Sequence, residues 1–274
     1  MPITVYPFDY ALGPLQLTGF GLAVAMAFMV AQHICVRALE ERGDPLNAAI
    51  IPDAVMAAIV GTLIGAKLYY VALTGDPSAI FSRGGFVFWG GFIGSVIACW
   101  LVIRYRKGDF VKIADVAGIA IAGGYAVGRT GCWAVGDDYG RPWSGPLAVR
   151  FPDGAPPSTA ESMQRAFGVV FGPEVKPTDV IAVHPTQLYE VAMGFVMFVV
   201  LWRLRHHKHA AGWLFGAYCV LAGIERFIVE FFRAKDDRFF AGLTVAQVIA
   251  MAIAAIGVVL LTTRRRSISA VSPA

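Results

Sequence analysis

The sequence IADVAGIAIAGGYAVGRTGCWAVGDDYG (residues 113–140) changes from an apolar run to a charged, glycine-rich segment. From Ile113 to Val127 the only charge is Asp115, and Arg129 then follows among glycines. A guanidinium at hydrocarbon depth costs about 3 kcal/mol on insertion scales, so such an arginine usually faces a polar cavity or a partner. The stretch therefore predicts a membrane-spanning helix whose end forms an anion-binding site.

The composition of the whole chain predicts a membrane protein. Of the 274 residues, 57% are hydrophobic and 15% are charged, and the mean hydropathy is +0.63. Apolar runs near the roughly 20 residues that a helix needs to cross a bilayer fall at 12–35, 51–73, 86–103, 113–132, 187–202, 211–232 and 243–262. Since only helices and closed barrels satisfy the backbone within lipid, we expect an all-α membrane protein, a polytopic bundle of about seven transmembrane helices.

The distribution of basic residues predicts the orientation of this bundle. Lys and Arg are more numerous in the loops after the first, third, fifth and seventh runs than in the opposite loops. The positive-inside rule then places the N-terminus outside and the C-terminus in the cytoplasm. These loops account for the net charge of +4, so the charge is no indication of nucleic-acid binding.

The cysteines give no sign of a metal site or a disulfide framework. Cys35, Cys99, Cys132 and Cys219 are far apart, and all four lie within apolar runs. Zinc sites and disulfide frameworks show closer, regular spacings. We expect free thiols, and neither a metal nor another cofactor.

One long polar segment interrupts the spans. The chain is expected to form a single integral membrane domain, 1–274, with an extracytoplasmic insertion at about 133–185. Alternating patterns predict short strands at 147–151 and 180–183, and a short helix at 158–167 capped by its first or second residue. A loop of this length at a membrane face usually has a function. It joins two polar segments, so we expect it to cover a cavity between them.

Arg129 is about 17 residues, roughly 25 Å, from the cytoplasmic end of its predicted helix, which is outer-leaflet depth. Two further polar segments enter apolar runs at this depth. The first is His184-Pro-Thr-Gln-Leu-Tyr-Glu190, and the second is Glu225-Arg-Phe-Ile-Val-Glu-Phe-Phe-Arg233. They can be interpreted structurally, as cap and interface residues and as an ion pair between Arg226 and Glu230 four positions apart. Alternatively, Arg129 and Arg226 together form a clamp on a phosphate, whose oxygens match guanidinium geometry.

A glycine-rich segment, Gly84-Gly-Phe-Val-Phe-Trp-Gly-Gly-Phe-Ile-Gly94, begins the third span. Glycines four apart, such as Gly90 and Gly94, allow close helix packing, and packing is the favoured interpretation. Trp89 is a candidate for the wall of the cavity.

Together these segments resemble the bacterial prolipoprotein diacylglyceryl transferase family of seven-span inner-membrane enzymes. His184-Pro-Thr-Gln-Leu-Tyr-Glu190 is close to the family's His-Pro-Ser/Thr-Gln-Leu-Tyr-Glu. Gly128-Arg-Thr-Gly131 matches the start of its signature, Gly-Arg-x-Gly-Asn-Phe-x-Asn-x-Glu-x-x-Gly, and Arg226 to Arg233 match its Arg-Phe-x-x-Glu-Phe-x-Arg. The similarity covers most of the spans, whereas the insertion is particular to this chain or a subgroup.

The resemblance implies transfer of the diacylglyceryl group of phosphatidylglycerol to the lipobox cysteine of a preprolipoprotein, with glycerol phosphate released. The implied partners are phosphatidylglycerol, the preprolipoprotein signal peptide with its lipobox, and the lipid bilayer. Arg129 and Arg226 correspond to the two family arginines thought essential. Substrate-binding roles are expected for Gly128, Gly131, Tyr139, Gly140, Gln187, Tyr189, Glu190, Glu230, Arg233, Trp89, Gly90 and Gly91.

The chain also departs from the family pattern. The family's two signature asparagines are Cys132 and Val135, and its glutamate is Asp137. A family histidine before the paired glycines is Trp89, and a tyrosine four residues before the second arginine is Ala222. Arginine-based phosphate binding therefore carries over, whereas the assignment of the general base does not.

Three routes remain for the thiol proton. His184 and Asp137 are candidate catalytic bases, because both are expected at the outer mouth of the site. Alternatively, the cationic pocket lowers the pKa of the thiol enough to form thiolate without a base. Cys132 is either a packing residue or a reactive group.

Two other functions compete with transfer. One is a paralogue of the same fold that binds anionic phospholipid with a different acceptor or without transferase activity. The other is a transporter, which the absence of an internal repeat disfavours.

Overall fold

The computed structural model describes residues 2–12, 15–82, 85, 87–234, 238–240 and 242–265, so Gly84 of the glycine-rich segment lies outside the described residues. Most of the described chain is helical. The long helices are α1 (Gly19–Glu41), α3 (Ile51–Thr74), α4 (Phe88–Tyr105), α5 (Phe110–Val135), α7 (Thr186–Leu204), α8 (Trp213–Glu230) and α9 (Val245–Thr263). The short helices are α2 (Pro45–Ala48), α6 (Ala160–Phe167) and a 3₁₀ turn at Pro77–Phe81.

Strands are few and short in the described residues. They are β1 (Ile3–Thr4), β2 (Asp9–Leu12), β3 (Leu15–Thr18), β4 (Val149–Arg150), β5 (Arg238–Phe240) and β6 (Leu243–Thr244). Each belongs to a two-stranded sheet: β1 with β4, β2 with β3, and β5 with β6.

The long helices confirm an all-α polytopic membrane protein. Six helical segments, formed by α1, α2 with α3, α4, α5, α7 and α9, are long and apolar enough to cross a membrane. Helix α8 has 18 residues, but Glu225, Arg226 and Glu230 add three charges to it. Helix α8 is therefore not among these six segments.

The predicted span boundaries agree with the helices to within three residues, except at the first span. That span was predicted at 12–35, whereas α1 begins at Gly19 and ends at Glu41. The residues before it pair as an antiparallel hairpin, in which Asp9 lies opposite Thr18. The Thr18 hydroxyl then accepts a hydrogen bond from the Gly21 amide at 3.0 Å, which satisfies a free donor of the helix start as an N-cap does. The predicted start was therefore wrong.

The structure divides into two compact units, residues 1–31 with 118–274, and residues 32–117. The single domain and its insertion boundaries stay a prediction. Asp115, the charge at the start of the opening sequence, lies in the second unit. It is buried and forms an ion pair with Arg42 at 2.9 Å.

Helices α3 and α4 of the second unit pack through glycines. A Cβ atom on Gly65 would lie 2.3 Å from the carbonyl oxygen of Gly90, and one on Gly90 would lie 2.4 Å from that of Gly65. The predicted close packing at Gly90 and Gly94 is confirmed, since Gly94 approaches Gly61 in the same way. Trp89 is 46% exposed.

In the first unit, the segment between α5 and α7 has a core of its own. Its buried members are Tyr139, Val149, Phe151, Met163 and Val183, and Ala234 joins them from the segment after α8. The short predicted helix is confirmed as α6, with Thr159 accepting a hydrogen bond from the Ser162 amide at its start. The first predicted strand is observed as β4.

The second predicted strand, at 180–183, was wrong. Val180 forms an isolated bridge with Thr159, and Val183 forms bridges with Pro142 and Val149. The two valines thus pair with different segments, so no continuous ladder forms.

All four cysteines are free thiols, as predicted. Cys35, Cys132 and Cys219 are buried, whereas Cys99 is only half-buried.

Candidate active site

Arg129 lies in the last two turns of α5 and has three polar contacts. Its Nη1 is 2.9 Å from a carboxylate oxygen of Asp138 and 3.3 Å from the sulfur of Cys132, while Nη2 pairs with Glu190. The side chain is only 13% exposed. Its Nε is buried and makes no hydrogen bond within the described part of the protein. Arg129 is therefore a buried cation with one donor still to satisfy.

Asp138 links Arg129 to a second arginine. Its other carboxylate oxygen accepts a hydrogen bond from Arg233 Nη2 at 2.7 Å. Burial opposes ionisation of Asp138, but Arg233 and Arg129 outweigh it and hold the pKa at about 2. The backbone of Asp138 has φ +54°, a left-handed conformation that costs energy for any residue with a Cβ atom. This strained residue bridges Arg129, which lies nine residues before it, and Arg233, which lies 95 residues after it.

Arg226 joins the same network from α8. It forms an ion pair with Glu230 at 2.7 Å, and Glu230 lies 4.0 Å from Nε of Arg233. Carboxylates thus alternate with guanidinium groups from Arg226 through Arg233 to Arg129. Arg226 is the most exposed of these arginines, at 35%. The ion pair between Arg226 and Glu230, which was the structural alternative, is observed. The clamp in which Arg129 and Arg226 bind the same phosphate stays a prediction.

The beginning of α7 holds the backbone that carries Asp138. Thr186 donates its hydroxyl to the carbonyl of Asp138 at 2.6 Å, and Gln187 donates its amide to that of Asp137 at 2.5 Å. Both side chains are fully buried. The polar segment that begins this helix thus holds the backbone of residues 137–138 in place. Gln187 therefore positions the acidic pair.

Gly140 closes the same turn. Its amide donates to the carbonyl of His184 at 2.9 Å. A Cβ atom at this position would lie 2.4 Å from the carbonyl oxygen of Phe232 and 2.7 Å from Cβ of His184. Three segments therefore meet here at a separation that only glycine permits.

The pKa of Asp137 shifts in the opposite direction from that of Asp138. Burial and the charge of Asp138 raise the pKa of Asp137 to about 6. Its Oδ1 is buried without a hydrogen bond in the described part of the chain. A carboxylate with a pKa near neutrality is suited to accept and release a proton.

His184 precedes α7 and lies in an aromatic cluster. Its ring stacks on Trp143 at 4.3 Å between centroids, and Nδ1 lies 3.1 Å from the hydroxyl of Tyr189. Burial and the charge of Arg141 lower the pKa of His184 below its usual value. The imidazole is therefore neutral at neutral pH, as a proton acceptor must be.

Several predicted binding residues have structural roles. Tyr139 is 1% exposed, and its hydroxyl donates to the carbonyl of Pro157 at 2.9 Å. Gly131 faces α1, where a Cβ atom would lie 2.7 Å from that of Ala23, whereas Gly128 has more room. Contact of Tyr139 and these two glycines with substrate stays a prediction.

Three predicted binding residues precede this network in the sequence. Trp89, Gly90 and Gly91 belong to the second unit, and a role for them in binding stays a prediction.

Tyr125 was not among the residues predicted for the site, and Glu225 was named only as part of a polar segment. The hydroxyl of Tyr125 lies 3.1 Å from Oε1 of Glu190 and 3.1 Å from Oε1 of Glu225. Residues four apart share a helix face, so the position of Tyr125 one turn before Arg129 was an available signal. Glu225 is buried, and its place beside Arg226 gave no indication of this contact.

One group could in principle hold a metal ion. The ligand atoms of Cys132, Asp137 and Asp138 lie within 4.8 Å of one another. Asp138, however, is already paired with Arg129 and Arg233. A dication would have to displace or repel two guanidinium groups, so the donor set does not favour a metal.

Comparisons with known proteins give a consistent result. The family model described as "Prolipoprotein diacylglyceryl transferase" matches residues 7–263. A phosphatidylglycerol–prolipoprotein diacylglyceryl transferase of Nitratidesulfovibrio vulgaris is 30% identical over 268 residues, 93% of each chain. One of Xanthomonas axonopodis pv. citri is 30% identical over 275 residues, 95% of this chain and 92% of the relative.

Proposed function

Because the chain belongs to the prolipoprotein diacylglyceryl transferase family, we propose that it transfers the diacylglyceryl group of phosphatidylglycerol to a lipobox cysteine. The acceptor is the thiol of a preprolipoprotein. Its sulfur forms a bond to the terminal glycerol carbon, the bond from that carbon to the phosphate oxygen breaks, and glycerol phosphate leaves. The thiol proton passes to a base.

The observation that carries this proposal is the buried pairing of Arg129 with Asp138 and Glu190. Departure of glycerol phosphate builds negative charge on oxygen, and preorganised cations stabilise it best where water is excluded. Arg129 has a buried Nε donor that no described group accepts. Arg233 and Arg226 continue the positive charge along the network. Phosphate oxygens can replace carboxylate oxygens on such groups, because both match guanidinium geometry.

Two residues are candidates to accept the thiol proton. Asp137, with its pKa of about 6, is mostly ionised at neutral pH and can be reprotonated without a large cost. His184 is neutral, and in the tautomer in which Nδ1 donates its proton to the hydroxyl of Tyr189, Nε2 is the acceptor. If neither serves, the arginines must favour a thiolate directly.

The family and the apolar helices support a membrane setting for the reaction. We propose a bacterial inner-membrane location with the N-terminus outside and the C-terminus in the cytoplasm. Phosphatidylglycerol enters from the bilayer, and the signal peptide of the preprolipoprotein presents its lipobox at the outer face. No cofactor takes part in the proposed step.

Complementation tests the proposal in cells. A strain depleted of its own transferase should grow when it expresses this chain, and its lipoproteins should regain the gel mobility of the lipidated form. Arg129→Lys is the matched control for Arg129→Ala, since it keeps the charge but loses the planar fork. Failure to complement despite normal membrane expression would instead favour the paralogue that binds anionic phospholipid without this transfer.

A further inference from the structure

Tyr125 links two buried carboxylates that lie on different helices. Its hydroxyl oxygen is 3.1 Å from Oε1 of Glu190 on α7 and 3.1 Å from Oε1 of Glu225 on α8. Glu190 is 2% exposed and Glu225 is 6% exposed. A phenol carries one proton, so it can donate fully to only one of these oxygens. The second contact is favourable only if that carboxyl group carries a proton and donates to the phenol.

The charges around the pair identify which carboxyl group holds the proton. Glu190 has Arg129 as its cation. Arg226, the neighbour of Glu225 in sequence, pairs with Glu230. No ion pair involves Glu225 in the described part of the chain. A buried carboxylate without a cation takes up a proton. Glu225 is therefore the acid at rest.

The other groups that act on Glu225 do not change this assignment. From α5 they are Tyr125 and Arg129, from α7 Glu190, and from α8 itself Tyr218 and Arg226. Both arginines are committed to other carboxylates, and Glu190 is an anion that disfavours a second negative charge nearby.

We propose that Glu190 and Glu225 share one proton through the hydroxyl of Tyr125, so that Arg129 can exchange its carboxylate partner for a phosphate. This proposal rests on the proposed function only in that phosphate is the incoming anion. At rest, Glu225 donates to Tyr125, Tyr125 donates to Glu190, and Glu190 is the anion that pairs with Arg129.

The arrival of a phosphate creates the need for the shared proton. When Arg129 turns its donors to phosphate, Glu190 would remain as a buried anion facing another anion. The O–H bonds of Glu225 and Tyr125 then break, while new O–H bonds form at Tyr125 and Glu190. Glu190 becomes neutral, and the negative charge moves to Glu225, which then faces no anionic Glu190 across Tyr125. No proton enters from or leaves to water.

In this scheme Tyr125 is a positioning residue that acts through Glu190. Its role can be separated from packing, because phenylalanine keeps the ring and removes only the hydroxyl. Tyr218 offers a matched control: it is a second tyrosine near Glu225, and no hydrogen bond from its hydroxyl is observed in the described residues.

Infrared spectroscopy of the purified protein tests the resting proton. At about pH 8, where Asp137 with its pKa of about 6 is ionised, the wild type should show the carbonyl band of a protonated carboxylic acid. Glu225→Gln should lose this band, and Asp137→Asn should keep it. An equal band in Glu225→Gln and the wild type would overturn the proposal, whether or not the protein transfers lipid.

Binding of phosphatidylglycerol in detergent micelles, followed by tryptophan fluorescence, tests the exchange. Tyr125→Phe should weaken binding about tenfold, the effect of losing a hydrogen bond to a charged group. Its Kd should also become dependent on pH, since the proton must now come from water. Tyr218→Phe should bind as the wild type does. An unchanged Kd with an unchanged pH profile in Tyr125→Phe would overturn the proposal.

These measurements require no turnover, so they are independent of the transfer reaction. A wild type that binds the lipid but transfers nothing would refute the proposed transferase function while the proton-sharing result stands.

Discussion

Replacement of Asp138 by asparagine should destabilise the protein, because it removes the carboxylate that Arg129 and Arg233 share. The two contacts are 2.9 Å and 2.7 Å long. The pKa of Asp138 falls from 3.8 to about 2, which corresponds to about 2.5 kcal/mol at about 1.4 kcal/mol per unit. The side chain is 41% exposed, so solvent screening reduces the expected loss to about 1–1.5 kcal/mol.

Thermal unfolding of the purified protein in detergent measures this loss. For a chain of this size, about 1–1.5 kcal/mol lowers the melting temperature by about 3–5 °C. The sign of the pH dependence follows from the lowered pKa. The stabilisation by Asp138 is complete above the unfolded-state pKa of about 4 and is lost as the pH falls towards about 2. The difference between the wild type and Asp138→Asn should therefore shrink below about pH 4.

Asp137→Asn is the matched control, since it makes the same change one residue away. Burial raises the pKa of Asp137 to about 6, so the folded protein disfavours its charged form, and removing that charge at neutral pH should not destabilise the fold. A melting temperature of Asp138→Asn within about 1 °C of the wild type would refute the shared-carboxylate argument. An equal loss in both variants would do the same.

The remaining predictions concern the proton acceptor and the closest backbone approach. If Asp137 accepts the thiol proton, the transfer rate should rise as the pH passes about 6, and Asp137→Asn should remove this rise while His184→Ala keeps it. A rise that persists in Asp137→Asn would exclude that carboxylate as the base. Gly140→Ala should cost about 1–3 kcal/mol of stability by overpacking, because its Cβ atom would lie 2.4 Å from the carbonyl of Phe232. Gly128→Ala is the control, with its nearest neighbour at 3.8 Å, and equal melting of the two variants would contradict the packing argument.

The helices were predictable because hydropathy and length determine a membrane span almost alone. Ile51–Thr74 and Thr186–Leu204 lie within two residues of their predicted bounds. The start of the first span was predicted wrongly because a partly apolar hairpin precedes the helix. Mean hydropathy does not distinguish a strand from a helix. At the helix start, Thr18 accepts a hydrogen bond from the Gly21 amide and the Gly19 amide donates one to the carbonyl of Phe8.

The components of the site were predictable, but their connections were not. Arg129, Glu190 and Arg233 were all expected from their motifs, and i to i+4 spacing predicted the pair of Arg226 with Glu230. That Asp138 bridges two arginines depends on a left-handed backbone at that residue. This conformation is imposed by tertiary hydrogen bonds from α7, and no local pattern contains it.

The contacts of Tyr125 were likewise not predictable from the sequence. Its helix face could be inferred from Arg129, but its two carboxylate neighbours come from α7 and α8. Contacts among three helices depend on their packing, which span prediction does not provide.

In the proposed reaction, the buried guanidinium of Arg129 stabilises the phosphate that leaves during diacylglyceryl transfer. This role of Arg129 can be measured in a transfer assay with purified protein, phosphatidylglycerol and a lipobox peptide, in which the thioether-linked product is quantified. The wild type should form this product, and Arg129→Ala should form none while it remains folded in the membrane. Arg129→Ala with most of the wild-type rate, or a wild type that forms no product, would contradict the account.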